Sequence, residues 1–193
     1  MPISYRHNAL FVHIPKTGGQ SISALMGISR GRENFYAEEL THLTVKMYED
    51  RMDISDKYIF TFVRNPYDKI KSEYAWRMKN RMSVVFNEPT KHQMTFDKYM
   101  ETLLDRWEGI YDREWRTRAH VMPQHVFIDE RVEVFRHEEF EQGCNILKEK
   151  FHIEKPIPHV NRGGGGNKHT RRTMDIVNEL YAEDFERFGY EIK

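Results

Sequence analysis

The sequence predicts an α/β protein with a doubly wound layout, a mainly parallel sheet flanked by helices. Three observations carry that expectation. The run Leu10-Phe11-Val12-His13-Ile14 reads as a buried strand that breaks at Pro15; Ile22, Leu25 and Met26 then follow at helical spacing. Lys57-Tyr58-Ile59-Phe60-Thr61-Phe62-Val63 is a second apolar run rich in aromatic and β-branched residues, and Pro66 follows where a helix would open. The chain of 193 residues is long enough for one domain, 1–193, with a sizeable core.

Taken in order, a strand over 9–14 leads to a helix over 20–28, and a polar connection carries His42. A strand over 58–63 leads to a helix over 67–81. Residues 83–122 interrupt this rhythm, with Phe96, Tyr99, Leu103, Leu104 and Trp107 at the spacing of a buried helix face. Two short strands (125–128 and 132–135) precede a helix over 138–151, in which Phe140, Cys144, Leu147 and Phe151 share a face. A last helix over 171–187 buries Met174, Val177, Leu180, Tyr181 and Phe185. Ahead of it the four glycines Gly163 to Gly166 predict a mobile loop, since no regular element tolerates such a run.

The chemistry concentrates where the two predicted strands end. Pro15-Lys16-Thr17-Gly18-Gly19-Gln20-Ser21 is a glycine loop bearing a lysine that runs into a helix. The N–H groups there point one way, and glycine admits an anion to the backbone. An ordinary strand-to-helix turn with a surface lysine is the competing reading. The loop matches neither the GxxxxGK[ST] nucleotide loop, since Lys16 precedes both glycines, nor the dinucleotide GxGxxG. Arg64 ends the second strand, where open α/β sheets bind ligands, and Ser72 lies two turns into the following helix. An arginine fork with a hydroxyl suits a second phosphate; a structural salt bridge and a solvent-facing serine is the alternative.

With these segments in this order, the chain resembles the PAPS-dependent sulfotransferases (PAPS is 3′-phosphoadenosine 5′-phosphosulfate). The likeness is to the carbohydrate-type branch that includes heparan sulfate 2-O-sulfotransferases and small bacterial relatives. It extends to Thr41-His42-Leu43-Thr44, Pro123-Gln124, Phe135-Arg136-His137-Glu138 and the ending from Leu180 to Tyr190. The resemblance implies a three-layer P-loop-like fold in which Lys16, Thr17, Gly18, Gly19, Gln20 and Ser21 hold the 5′-phosphosulfate. It further implies that Arg64 and Ser72 hold the 3′-phosphate, that Lys168 reaches the nucleotide from the glycine loop, and that Lys16 and His42 are catalytic. PAPS would be the donor, with no metal required, and a hydroxyl-bearing glycan the acceptor.

Elementary chemistry agrees. A sulfuryl group carries less negative charge than a phosphoryl group, whose transfer leans on metal ions. The strand ending at Arg64 offers no terminal aspartate for magnesium; Asp129 follows a short apolar run and reads as the start of a turn. A hydroxyl needs a positioned base, and an imidazole titrates near neutrality. Glu38, Glu39, His120 and His125 compete with His42 for that part, while His13, on the strand just before the loop, reads as a packing or hydrogen-bonding residue. A kinase of a related fold and a non-catalytic nucleotide-binding protein remain open as other classes.

Composition sets the outer bounds. Thirty basic and thirty acidic residues cancel, so no global field draws nucleic acid or an anionic membrane. Two basic clusters (Arg77, Lys79, Arg81 and Arg113, Arg116, Arg118) suit an anionic glycan or simply solvated helix faces, and Trp107, Tyr111 and Trp115 suit a sugar or the core. The single Cys144 excludes an internal disulfide. The absence of a long apolar run or a signal-like start predicts a cytoplasmic protein without a membrane-inserted segment.

Overall fold

The structure is a computed structural model that describes residues 2–28, 41–83, 94–158 and 166–193. Among the described residues there are four strands: β1 (Ile3–Ser4), β2 (Ala9–Phe11), β3 (Tyr58–Val63) and β4 (Glu133–Arg136). The helices are α1 (Gly19–Leu25), α2 (Val45–Glu49), α3 (Pro66–Lys79), α4 (Phe96–Asp105), α5 (Trp107–Ile110), α6 (Trp115–Arg118), α7 (Phe140–Lys150), α8 (Arg171–Leu180) and α9 (Ala182–Phe188). The chain groups into two compact units, Met1–Arg64 with Val126–Arg162 and Asn65–His125 with Gly163–Lys193.

The first unit holds the sheet, ordered β1-β2-β3-β4. The β2–β3 and β3–β4 pairs are parallel and only β1 is antiparallel, so the α/β expectation holds. The strand expected over 9–14 is shorter for a local reason. Val12 N–H still donates to Phe60 O (2.9 Å), but Ile14 N–H turns back to Val12 O (3.1 Å) and lifts the chain off the ladder before Pro15. The buried Thr61 hydroxyl donates to Val12 O at 2.6 Å, so a side chain completes the pairing there. The strand expected over 132–135 is β4, displaced by one residue.

The strand expected over 125–128 is absent. His125–Phe127 is a 3₁₀ turn, because the N–H groups of Gln124 and His125 are both taken by the Asp184 carboxylate at 2.8 Å instead of a neighbouring strand. Asp129 does open a turn: its carboxylate accepts from its own Arg131 N–H (3.0 Å) and pairs with the Arg131 guanidinium.

On one face of the sheet, Phe11, Phe60, Phe62 and Phe135 form an aromatic layer, with Phe11–Phe60 and Phe62–Phe135 centroids 5.2 Å apart. Ile22 and Leu25 of α1 and Cys144 and Leu147 of α7 complete that cluster. Burial pushes the Cys144 thiol up to about 12, which leaves it a packing residue and not a nucleophile.

The second unit is helical in its described residues. Asn65 caps α3 by accepting from Tyr67 N–H (3.0 Å), and Pro66 occupies the first turn as expected. The buried face of α3 is charged. Lys69, Glu73 and Arg77 recur every fourth residue and are at most 2% exposed. Glu73 pairs with Arg77 at 2.6 Å, and Lys69 donates to the carbonyls of His120 (3.3 Å) and Met122 (3.2 Å). Arg77 therefore leaves the surface cluster proposed for it; a buried guanidinium needs its carboxylate partner. The helix expected over 171–187 divides at Tyr181, whose buried hydroxyl donates to Val121 O (2.7 Å) between α8 and α9.

Gly143 on α7 tests this packing. A Cβ there would lie 2.9 Å from Phe62 Cε1 and 3.2 Å from Phe135 Cβ. Helix propensity favours alanine by about 1 kcal/mol, whereas overpacking a core costs roughly 1–3 kcal/mol. Gly143→Ala is expected to destabilise by about 1 kcal/mol in urea unfolding; a gain in stability would show that α7 does not press on the sheet.

Candidate functional site

The carboxyl ends of three strands of the first unit lie on one side of the sheet. Val63 of β3 pairs with Arg136 of β4, so Arg64 and His137 leave the sheet level with each other, whereas β2 ends earlier, with Phe11 opposite Phe60, and His13 follows beside β3. The loop after β2 crosses this edge. Lys16 takes φ +70° and Gly18 φ +91°. A lysine in the left-handed region costs on the order of 1–3 kcal/mol, which surrounding contacts must hold. One holder is Arg64, whose guanidinium donates to Lys16 O at 3.3 Å.

The two glycines answer to different constraints. Gly18 needs its positive φ, and a Cβ on it would also meet Phe140 Cε2 at 2.8 Å, with His137 Cδ2 at 3.4 Å. At Gly19 space is decisive: a Cβ would stand 1.8 Å from His13 Nε2. The loop's hydrogen bonds refine the expected cradle. The buried Thr17 hydroxyl donates to Ile14 O (2.9 Å), so Thr17 can offer an anion its backbone alone. Ser21 N–H closes the first turn of α1 on Gly18 O (3.0 Å) and is spent there. Pro15 and Lys16 form a turn after Ile14, and among the described residues the N–H groups of Gly18 and Gly19 have no backbone carbonyl partner. Gln20 is exposed on the first turn of α1.

His42 joins the loop from a distance in sequence. Its Nδ1 lies 2.8 Å from His13 O, and the two imidazoles are tilted with centroids 4.4 Å apart. A carbonyl only accepts, so Nδ1 carries the proton and the lone pair is on Nε2, the form a base requires. His42 itself takes φ +63°, a strained backbone for a histidine.

The first unit thus brings Lys16, Thr17, Gly18, Gly19, Gln20, Ser21, His42 and Arg64 to one sheet edge. Ser72 and Lys168 belong to the second unit, Ser72 half-buried within α3 and Lys168 exposed ahead of α8. Glu38, Glu39 and Gly163 to Gly165 lie outside the described residues. His13 packs and hydrogen-bonds beside the loop, while His137 and Phe140, which lie against Gly18, are site residues that the motifs did not assign. Their position just past the carboxyl ends of parallel strands was the available signal.

The rival bases are occupied differently. His125 faces carboxylates with both nitrogens, Nδ1 to Asp184 (2.9 Å) and Nε2 to Glu183 (3.2 Å), so its ring is held away from the loop by its own partners. His120 Nδ1 lies 3.0 Å from the buried Glu73 carboxylate, and its ring stacks on Trp76. Trp107 meets the Tyr111 and Tyr181 rings edge-on, and Arg118 lies over the Tyr111 and Trp115 rings at 5.6 and 5.4 Å. Among the described residues no group of three or more His, Cys, Asp or Glu side chains is placed to hold a metal ion. Among them, too, no helix is long and apolar enough to cross a membrane.

Comparison with known proteins gives one match. The profile of the Sulfotransferase family aligns with residues 1–191. No curated protein and no solved structure matches the chain.

His169, next to Lys168, offers a pH test of the second unit. Its Nε2 lies 2.9 Å from Tyr67 O, between the Tyr67 and Phe96 rings. Burial holds its pKa below 6.5, against the raising effect of the Tyr67 carbonyl. A histidine whose folded pKa is depressed stabilises in full above the unfolded value and loses that stability as pH falls through the folded one. Between pH 7.5 and 5 the wild type is expected to lose more melting temperature than His169→Asn; equal losses would remove His169 as the cause.

Proposed function

The chain belongs to the sulfotransferase family, and we propose that it moves the sulfuryl group of PAPS to an acceptor hydroxyl, with a carbohydrate as the acceptor. The observation that carries this reading is His42, whose Nδ1 meets the His13 carbonyl at 2.8 Å, with the His13 ring packed against Gly19 of the loop that carries Lys16. The family's three-layer P-loop-like arrangement belongs to the same reading.

PAPS supplies an activated sulfuryl group and a stable leaving phosphate. The acceptor oxygen attacks sulfur, the bond from sulfur to the bridging phosphate oxygen breaks, and adenosine 3′,5′-bisphosphate departs. His42 Nε2 takes the acceptor proton as the new bond forms. Lys16 Nζ neutralises charge growing on the bridging oxygen, and the N–H groups of Gly18 and Gly19 hold the 5′-phosphosulfate in line. Arg64, Ser72 and Lys168 are assigned to the 3′-phosphate, which distinguishes this donor from ATP. The Arg64 bond to Lys16 O gives the same guanidinium a second task, bracing the strained loop. Sulfuryl transfer places less charge at the reacting centre than phosphoryl transfer, so the reading requires no metal.

Adenosine 3′,5′-bisphosphate at a hundred times its dissociation constant is expected to add about 2.7 kcal/mol to stability, without magnesium. A shift with magnesium–ATP instead would overturn the reading in favour of a kinase. Lys16→Ala is expected to weaken that binding and lower transfer by roughly 10²–10³. His42→Ala is expected to keep the binding and lose roughly 10²–10⁴ in PAPS consumption against oligosaccharide acceptors. Unimpaired turnover in both variants would remove Lys16 and His42 from the mechanism.

A further inference from the structure

His13 touches both halves of the site. Its carbonyl accepts the His42 Nδ1–H at 2.8 Å, and its ring lies 4.4 Å from the His42 ring. The same ring stacks on Phe11 (5.4 Å, 19°) and fills the space that a side chain on Gly19 would need. One hydrogen bond alone leaves an imidazole able to swing about its broad χ2 torsion. In water imidazole favours the Nε2–H tautomer, which would put the lone pair on the wrong nitrogen. A neighbour that is itself clamped removes both freedoms.

We propose that His13 is a positioning residue of the sulfuryl-transfer site: its ring fixes where the His42 ring lies relative to the Lys16–Gly19 loop, and by doing so keeps the His42 Nδ1–H on the His13 carbonyl, the bond that selects the tautomer. The inference rests on the reading of His42 as the base. Phe11 holds His13 from the sheet, Gly19 admits the ring against the loop, and His42 leans on its outer side. The base and the backbone donors are thereby tied through a single imidazole. Orientation of this kind governs how much of a barrier a catalytic group can remove.

The test is a tautomer measurement on the full chain. Long-range ¹⁵N–¹H correlation at neutral pH reads the ring nitrogens of His42, with the signals assigned by their loss in His42→Gln. The wild type is expected to show a protonated Nδ1 and a bare Nε2. His13→Phe keeps a planar ring against Phe11 and Gly19 and is expected to keep that signature. His13→Ala is expected to convert His42 to a mainly Nε2–H population. Affinity for adenosine 3′,5′-bisphosphate is expected to stay within about threefold in both variants.

An Nε2–H wild type, an unchanged tautomer in His13→Ala, or its loss in His13→Phe would overturn the inference. If His13→Ala does not fold, the His13→Phe spectrum decides alone. Failure of the bisphosphate to bind wild type as well as variants would instead overturn the sulfuryl-transfer reading, whatever the tautomer.

Discussion

The parallel pairing of β2 with β3 is the constraint on which the rest depends. Ala9, Leu10 and Phe11 face Tyr58, Ile59 and Phe60, and the Thr61 hydroxyl closes the ladder on Val12 O. A parallel register cannot slip by one residue without turning Phe11, Phe60 and Phe62 off the core face. That buried layer, each ring worth roughly 1.5–3 kcal/mol, fixes where both strands stop. Because β4 pairs onward in step, Arg64 and His137 emerge together, and the shorter β2 delivers His13 on the same side. The site is a consequence of three parallel strands ending on one side of the sheet.

Two residues at that edge hold strained backbones. Lys16 and His42 both hold left-handed backbones without being glycine, and each is held from outside its own segment, Lys16 by Arg64 and His42 by His13. The loop is thereby shaped before any ligand arrives, and donors already in place cost no reorganisation at the moment of reaction. The glycines divide the work, Gly18 supplying a conformation and Gly19 an absence of atoms that lets an imidazole lie against the loop.

The second unit follows another logic. Its central helix buries Lys69, Glu73 and Arg77 in a row where an apolar stripe is the usual solution. The Glu73–Arg77 pair and the Lys69 bonds to backbone carbonyls make this tolerable, since buried charge survives only when paired and hydrogen-bonded. Asp184 does comparable work, collecting the N–H groups of Gln124 and His125 and so bending into a turn a stretch whose residues favour a strand.

By itself the sequence determined what periodicity, local backbone chemistry and family resemblance can determine. The runs through Phe11 and Phe60 named two parallel strands, Pro66 opened a helix, the Lys16–Gly19 order excluded a nucleoside-triphosphate loop, and Asp129 announced a turn. Those are short-range properties of neighbouring residues. Tertiary structure alone decided how His42 meets the loop and in which tautomer, because His13 and His42 are apart in sequence and nothing local to either encodes the 2.8 Å bond between them. It also decided that Arg77 is buried, that residues 125–127 form a turn and that Tyr181 splits the last helix. At the turn and the split a distant partner (Asp184 or Val121 O) outweighs local preference, since an unsatisfied polar group inside a protein is costly; Arg77 is buried with a partner, Glu73, one turn back on its own helix.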